Sequence, residues 1–368
     1  MGITGFGGPP AHIALLRRLV VDENGWMDAQ AFEDANAACA LLPGPASTQL
    51  AIFTAYRAAG PAGAIVGALG FIVPAVVLIL ALSVVFLGSA PPLWVRGAGA
   101  GAGAAVAAVA VQAARGLIGP SYQRVRGDRA QLGRWFAYLA AGAAAAALVG
   151  AFVVVALLAC GLIEWAARRR ALGSTDRAGS LGLLIPAAMT TGGFGALVWT
   201  ALKVGALSFG GGFVIIPLMQ ADAVHTYHWM TDAQFLNAVA LGQITPGPVV
   251  ATVAAVGYAA HGIIGGLLAA VVAFSPSLAF VLLGGDRFER LRENESARAF
   301  LAGAGPAAIG AILGAAITLA MALTEGWQFA ILAGAAVLLL LLRRGVVPTL
   351  LGAGVVGVVA VLAGAPLS

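Results

Sequence analysis

Residues 42–50 read Leu-Pro-Gly-Pro-Ala-Ser-Thr-Gln-Leu, and 203 positions further on residues 245–248 read Thr-Pro-Gly-Pro. Two prolines around a glycine do not fit inside a regular helix, because each removes an amide donor and clashes with the preceding turn. Proline is tolerated in the first turn of a new helix, where its amide would have no intrahelical partner. Each Pro-Gly-Pro (Pro43, Gly44, Pro45 and Pro246, Gly247, Pro248) therefore reads as the end of one half-helix and the start of another. A second break precedes each of them: Phe6-Gly7-Gly8-Pro9 before the first, and Phe209-Gly210-Gly211-Gly212 before the second.

Working outward from these breaks, one register holds. An offset of 203 places Gly2 on Gly205, Trp26-Met27 on Trp229-Met230 and Phe32 on Phe235. After a single-residue gap the offset is 202, and Tyr56, Gly60 and Pro74 fall on Tyr258, Gly262 and Pro276. A shared register over some seventy residues, anchored on Gly, Pro and Trp, marks an internal duplication.

Composition sets the solvent. Of 368 residues, 61% are hydrophobic, 10% are charged and 51 are glycine. A water-soluble fold of this length needs far more charge to cover its surface. Cys39 and Cys160 are the only cysteines, which excludes a disulfide scaffold. The net charge of +5 comes from arginines clustered between apolar runs, a pattern that orients membrane spans and does not make a nucleic-acid face. The expected fold is an all-α polytopic, multi-pass membrane protein. It comprises two homologous repeats of about six helical elements each, with helices broken at the Gly-Gly and Pro-Gly-Pro motifs. The repeats run over 1–170 and 182–368, joined by a cytoplasmic linker at 171–181. Residues 135–167 read as one overlong helix or two short ones, and the repeat favours two because its partner region is divided by Arg343 and Arg344.

Charge then sets orientation. In the first half, arginines follow the fourth element (Arg115, Arg124, Arg126, Arg129, Arg134) and the sixth (Arg168, Arg169, Arg170, Arg177). In the second half they follow the third (Arg287, Arg290, Arg292, Arg298) and the fifth (Arg343, Arg344). Equivalent loops thus carry complementary charge, which predicts halves of inverted topology. Inverted repeats with interrupted helices place a transport site near the midplane.

The breaks are the candidate site. A helix that restarts after Pro45 runs through Ser47, Thr48 and Gln49, and its N-terminal amides and dipole suit an oxyanion. The Gly-Gly segments can form an amide nest for the same ligand. His12 lies four residues after Gly8, while Ser208, Gln243 and Thr245 flank the second pair of breaks. Lys203, the only lysine, precedes the second Gly motif and either adds charge to the site or extends toward the interface. No nucleotide loop, zinc motif or carboxylate pair is present, so neither metal nor cofactor nor enzymatic activity is expected.

Phe6-Gly-Gly-Pro9 with His12, the run 42–50, Phe209-Gly-Gly-Gly212 with Pro217, and Gln243-Ile-Thr-Pro-Gly-Pro248 together resemble the chromate ion transporter family in its long, two-domain form. The resemblance implies export of chromate from the bacterial cytoplasm, driven by the membrane potential, by two domains of opposite orientation. The expected partners are chromate or a related oxyanion such as sulfate and the lipid bilayer, with a homodimer left open and no nucleic acid. Two departures stand out: the family has a fuller helix before the first Gly motif, and often a Gln where Ala40 stands.

Overall fold

The computed structural model describes residues 1–39, 44–88, 90–149, 153–171, 192–208, 212–284 and 294–367, and among these it is helical without strands. The helices are α1 (Pro9–Arg17), α2 (Ala29–Cys39), α3 (Ala46–Phe86), α4 (Leu93–Gln123), α5 (Arg129–Ala144), α6 (Val153–Ala171) and α7 (Phe194–Leu207). They continue as α8 (Ile215–Gln220), α9 (Asp232–Ile244), α10 (Thr252–Gly284), α11 (Glu295–Met321), α12 (Gly326–Ala336) and α13 (Val346–Leu362). Four segments, α3, α4, Val249–Gly284 and α11, are long and apolar enough to cross a membrane.

Local irregularities recur in pairs. The long α3 bends at Ala59 (φ −145°, ψ 25°) and Gly60 (φ 63°, ψ −154°), and α10 bends at His261 (φ −145°, ψ 31°) and Gly262 (φ 65°, ψ −156°). Glycine supplies the positive φ that a side chain would resist. Both α1 and α8 run into a π-helical turn, Arg18–Glu23 and Ala221–Thr226. The next helix in each half is opened by a polar side chain. Asp28 accepts from the Ala31 amide at 2.8 Å, and Thr231 and Gln234 form a reciprocal capping box.

The sequence expectations need adjusting in three places. The first described helix starts at Pro9, and residues before the first Gly-Gly motif form turns, because Gly7 and Gly8 take positive φ and Pro9 opens the helix. The fourth element continues past Arg115 to Gln123; Arg115 is no loop residue, and its guanidinium donates to Leu340 O at 2.8 Å. The stretch 135–167 does contain two helices, α5 and α6, but α5 begins earlier, where Asp128 caps the amides of Ala130 and Gln131. Those two backbone bonds hold the exposed Asp128 carboxyl below its ordinary pKa.

In space the sequence halves interleave. Helix α4 packs against α9, α11, α12 and α13, while α5 and α6 lie on α11 and α3 lies on α10. Small residues allow the close approach: a Cβ on Gly101 would lie 2.8 Å from the Gly357 Cα. One large core cluster draws on residues from both halves, from Ala75 to Ala353. A smaller one gathers Leu16, Phe32, Ile52 and Phe71 with Val281.

Candidate functional site

Described residues from around all four Gly and Pro motifs, among them Gly7, Gly8, Ala46, Phe213 and Gln243, line one space. Residues Met1–Phe6 form turns, Gly7 and Gly8 follow at φ 100° and 76°, and α1 begins. The carbonyl of Gly5 accepts two hydrogen bonds, from His12 Nε2 at 2.9 Å and from the Gly247 amide at 2.9 Å. The first Gly break is thereby tied to the second Pro-Gly-Pro. A carbonyl can only accept, so His12 carries its proton on Nε2, and in the neutral ring Nδ1 faces the Ser47 hydroxyl as acceptor at 3.4 Å. The His12 ring is fully buried, edge-on to Phe71 at 5.2 Å.

The first Pro-Gly-Pro meets the second half in the same way. Gly44 has φ 116°, and a Cβ there would lie 2.6 Å from Gln49 Nε2, 3.0 Å from Ser277 Oγ and 3.4 Å from Gly205 O. Gly247, at φ 100°, would place a Cβ 2.7 Å from that of Ala75, the counterpart of Ser277 at an offset of 202. A Cβ on Gly212 would touch Val249 at 3.4 Å, just beyond Pro248. Pro43, Phe209, Gly210 and Gly211 lie outside the described residues.

A cavity of about 570 Å³ opens beside this junction, lined by Gly7, Gly8, Pro9 and Gln243, with Asn36 of α2 and Gln112 of α4. Among the described residues no charged side chain lines it. The Gln243 Nε2 and Gln112 Oε1 atoms are buried and find no hydrogen-bond partner among the described residues. The same holds for the hydroxyls of Thr48, Ser208 and Ser277. Buried polar groups are normally paired, so these orphans, of which Gln112 and Gln243 line the cavity, are candidate contacts for a polar ligand.

Several candidates do other work. The Gly247 amide is spent on Gly5 O, so this glycine joins the breaks and offers no free donor. The Thr48 and Gln49 amides are both taken by Pro45 O, at 2.9 and 3.0 Å. Pro9 and Pro10 occupy the first two positions of α1, which removes two donors from that helix end. Phe6 points outward, 45% exposed. Thr245 turns its hydroxyl back to Gly242 O within its own helix, at 3.5 Å. Lys203 does not line the cavity and is instead paired with a carboxylate. Its Nζ lies 2.5 Å from Asp222 Oδ2 and 5.6 Å from the centre of the Trp199 ring. Thr200 donates to the same Asp222 oxygen at 2.6 Å. An ammonium group taken out of water requires such a counter-charge.

Sequence reasoning passed over Asn36, Gln112 and Asp222. Gln112 carried a signal, since it is the one uncharged polar side chain between Leu93 and Gly119. Asp222 had none: its pairing depends on a π-helical turn that returns it to α7.

The chromate transporter family model matches this chain in two parts, residues 1–165 and 195–358. The chain belongs to the chromate transporter family. It is 32% identical to the chromate transport protein of Cupriavidus metallidurans, over 98% of this chain and 90% of that one. It is 33% identical to the chromate transport protein of Pseudomonas aeruginosa, over 88% of this chain and 80% of that one. A probable chromate transport protein of Synechococcus elongatus is 28% identical over 87% of this chain and 82% of its own length. No solved structure matches the fold. The match places the chain in a transporter family, and its long apolar helices make it a multi-pass membrane protein. A neutral cavity rich in glycine and amide groups fits an oxyanion, which backbone and side-chain N–H groups can hold without a cationic partner.

Proposed function

We propose that this protein exports chromate from the bacterial cytoplasm across the inner membrane, driven by the membrane potential. The dianion sits in the cavity between the helix breaks, held by the Gln243 amide and the backbone around Gly7 and Gly8. The observation that carries this reading is the buried, unpartnered Gln243 Nε2 on the wall of a 570 Å³ cavity lined by residues from around the breaks. Moving a dianion out of an inside-negative compartment is favourable by roughly 4.6 kcal/mol per 100 mV, so export needs no coupled ion. Two homologous halves of inverted topology, 1–170 and 182–368 joined by 171–181, form the carrier. The paired bends at Gly60 and Gly262 and the paired π-helical turns support this duplication.

Chromate and sulfate share charge and tetrahedral shape, and amide donors alone separate them poorly. Chromate flux in proteoliposomes, measured with sulfate in competition, tests the assignment. Half-inhibition of flux by sulfate only in large excess over chromate supports chromate as the substrate. Sulfate flux that outpaces chromate flux reassigns the carrier to sulfate.

A further inference from the structure

A second cavity of about 660 Å³ adjoins the first along two shared helices. On α4, Gln112 and Gly116 line the break cavity, and Ser121, with Arg124 just past the helix end, lines the second one. Five residues of helix separate Gly116 from Ser121, about 7.5 Å. On α2, Asn36 faces the break cavity and its neighbour Ala37 the second. The far wall comes from Arg168 of α6 and Arg298 of α11. Three arginines from three separate segments thus line one space, and among the described residues no acidic side chain lines it with them.

The arginines are held in two ways. Glu164, buried, accepts from Arg168 Nε at 2.8 Å and from Arg134 Nε at 2.7 Å, with Tyr138 Oη at 3.2 Å. One carboxylate serving two guanidinium groups fixes Arg168 without neutralising the cluster. Arg124 and Arg298 have no acidic partner among the described residues, and both are exposed to the cavity mouth. A neighbouring space of about 370 Å³ shares Arg168 and Arg298 and adds Arg169 and Glu295. A low-dielectric recess lined by one sign of charge concentrates counter-ions and speeds their capture.

We infer that the Arg124–Arg168–Arg298 recess is a loading site for a soluble dianionic oxyanion, which it captures on the arginine-rich side and passes to the break cavity. Its role as an entry rests on the export reading above; its affinity for the dianion rests on the arginines alone. The arginines attract and the neutral break cavity holds, so the ion is not trapped at the mouth. A lipid phosphate has the same chemistry, and the experiment separates the two sources.

The test compares wild type with the R124Q/R298Q variant in liposomes of phosphatidylcholine alone, at matched protein. The half-saturating chromate concentration is expected to rise about tenfold at low ionic strength. The gap is expected to close as salt screens the guanidinium groups. Arg57→Gln, which removes a charge that lines neither cavity, is expected to leave the value unchanged. Equal half-saturation in wild type and the double variant at every salt concentration overturns the inference. So does a difference that emerges only when phosphatidylglycerol is added, which gives the arginines to a lipid headgroup. A second readout needs no flux: Trp135 lines the recess, and chromate absorbs where indole emits. The part of the chromate quench lost in Trp135→Phe is expected to need about tenfold more chromate in R124Q/R298Q. A quench with no Trp135-dependent part, or one unmoved by the arginines, contradicts the site. Wild type that retains this quench but shows no chromate flux removes the export reading and leaves the arginine site standing.

Discussion

The π-helical turns at Arg18–Glu23 and Ala221–Thr226 lie 203 residues apart in matching positions, yet their surroundings differ. From Ile215 to Val224 every residue is buried, and Asp222 is held there by Lys203 and Thr200. In the first turn only Val20 is buried. Its charges form exposed pairs, Arg17 with Asp22 at 3.3 Å and Arg18 with Glu23 at 2.7 Å. Equivalent backbones therefore carry different electrostatic duties. Glycine, proline and capping residues specify the path of the chain; whether a charge on that path is structural depends on what the rest of the protein lays over it.

This asymmetry can be broken at its strongest point first. Asp222→Ala strands the Lys203 ammonium in a buried setting and is expected to cost about 3–5 kcal/mol, read as a large fall in Tm in detergent. Replacing both partners together, as Lys203→Met with Asp222→Leu, is expected to recover much of that loss. A double variant as unstable as Asp222→Ala would show that the carboxylate acts through something other than its lysine.

Next come the glycines. Gly8 and Gly44 both have positive φ, so alanine at either carries a left-handed penalty of about 1–2 kcal/mol. Only at Gly44 does the new Cβ also meet Gln49 Nε2 and Ser277 Oγ. Gly44→Ala is expected to lower chromate flux more than Gly8→Ala, and the reverse order would argue against the packed junction of the breaks. Among the polar groups, Gln243→Leu is expected to weaken chromate binding about 10- to 100-fold, the worth of a hydrogen bond to a charged group. Thr245→Val, whose hydroxyl serves its own helix, is expected to stay within a few-fold of wild type in the same titration. The smallest effect belongs to the exposed turn: Arg18→Ala is expected to change stability by less than about 1 kcal/mol.

Much of the backbone was legible because its signals are local. The Thr231–Gln234 capping box rests on residues three positions apart, whereas the division of 135–167 into two helices is read from Arg343 and Arg344 at the matching place in the second half. The candidate site was legible only in part. Gly7, Gly8, Pro9 and Gln243 do share a cavity, but the assumption that every break offers free amides fails where Gly247 bonds to Gly5 and where Pro45 takes the Thr48 and Gln49 amides. Those partners lie in the other sequence half or in the first turn itself, and periodicity does not encode them. Gln112, Asn36 and Asp222 were missed for the same reason: each acquires its setting from helices distant in the chain.

The central claim is that a dianion crosses this protein under the membrane potential alone. Its most direct test is the potential at which net chromate flow stops in proteoliposomes holding a known chromate gradient. Two charges per ion predict that each tenfold gradient is balanced by about 30 mV. A balance point that does not move with voltage, or that shifts with a pH gradient at fixed voltage, would contradict the account.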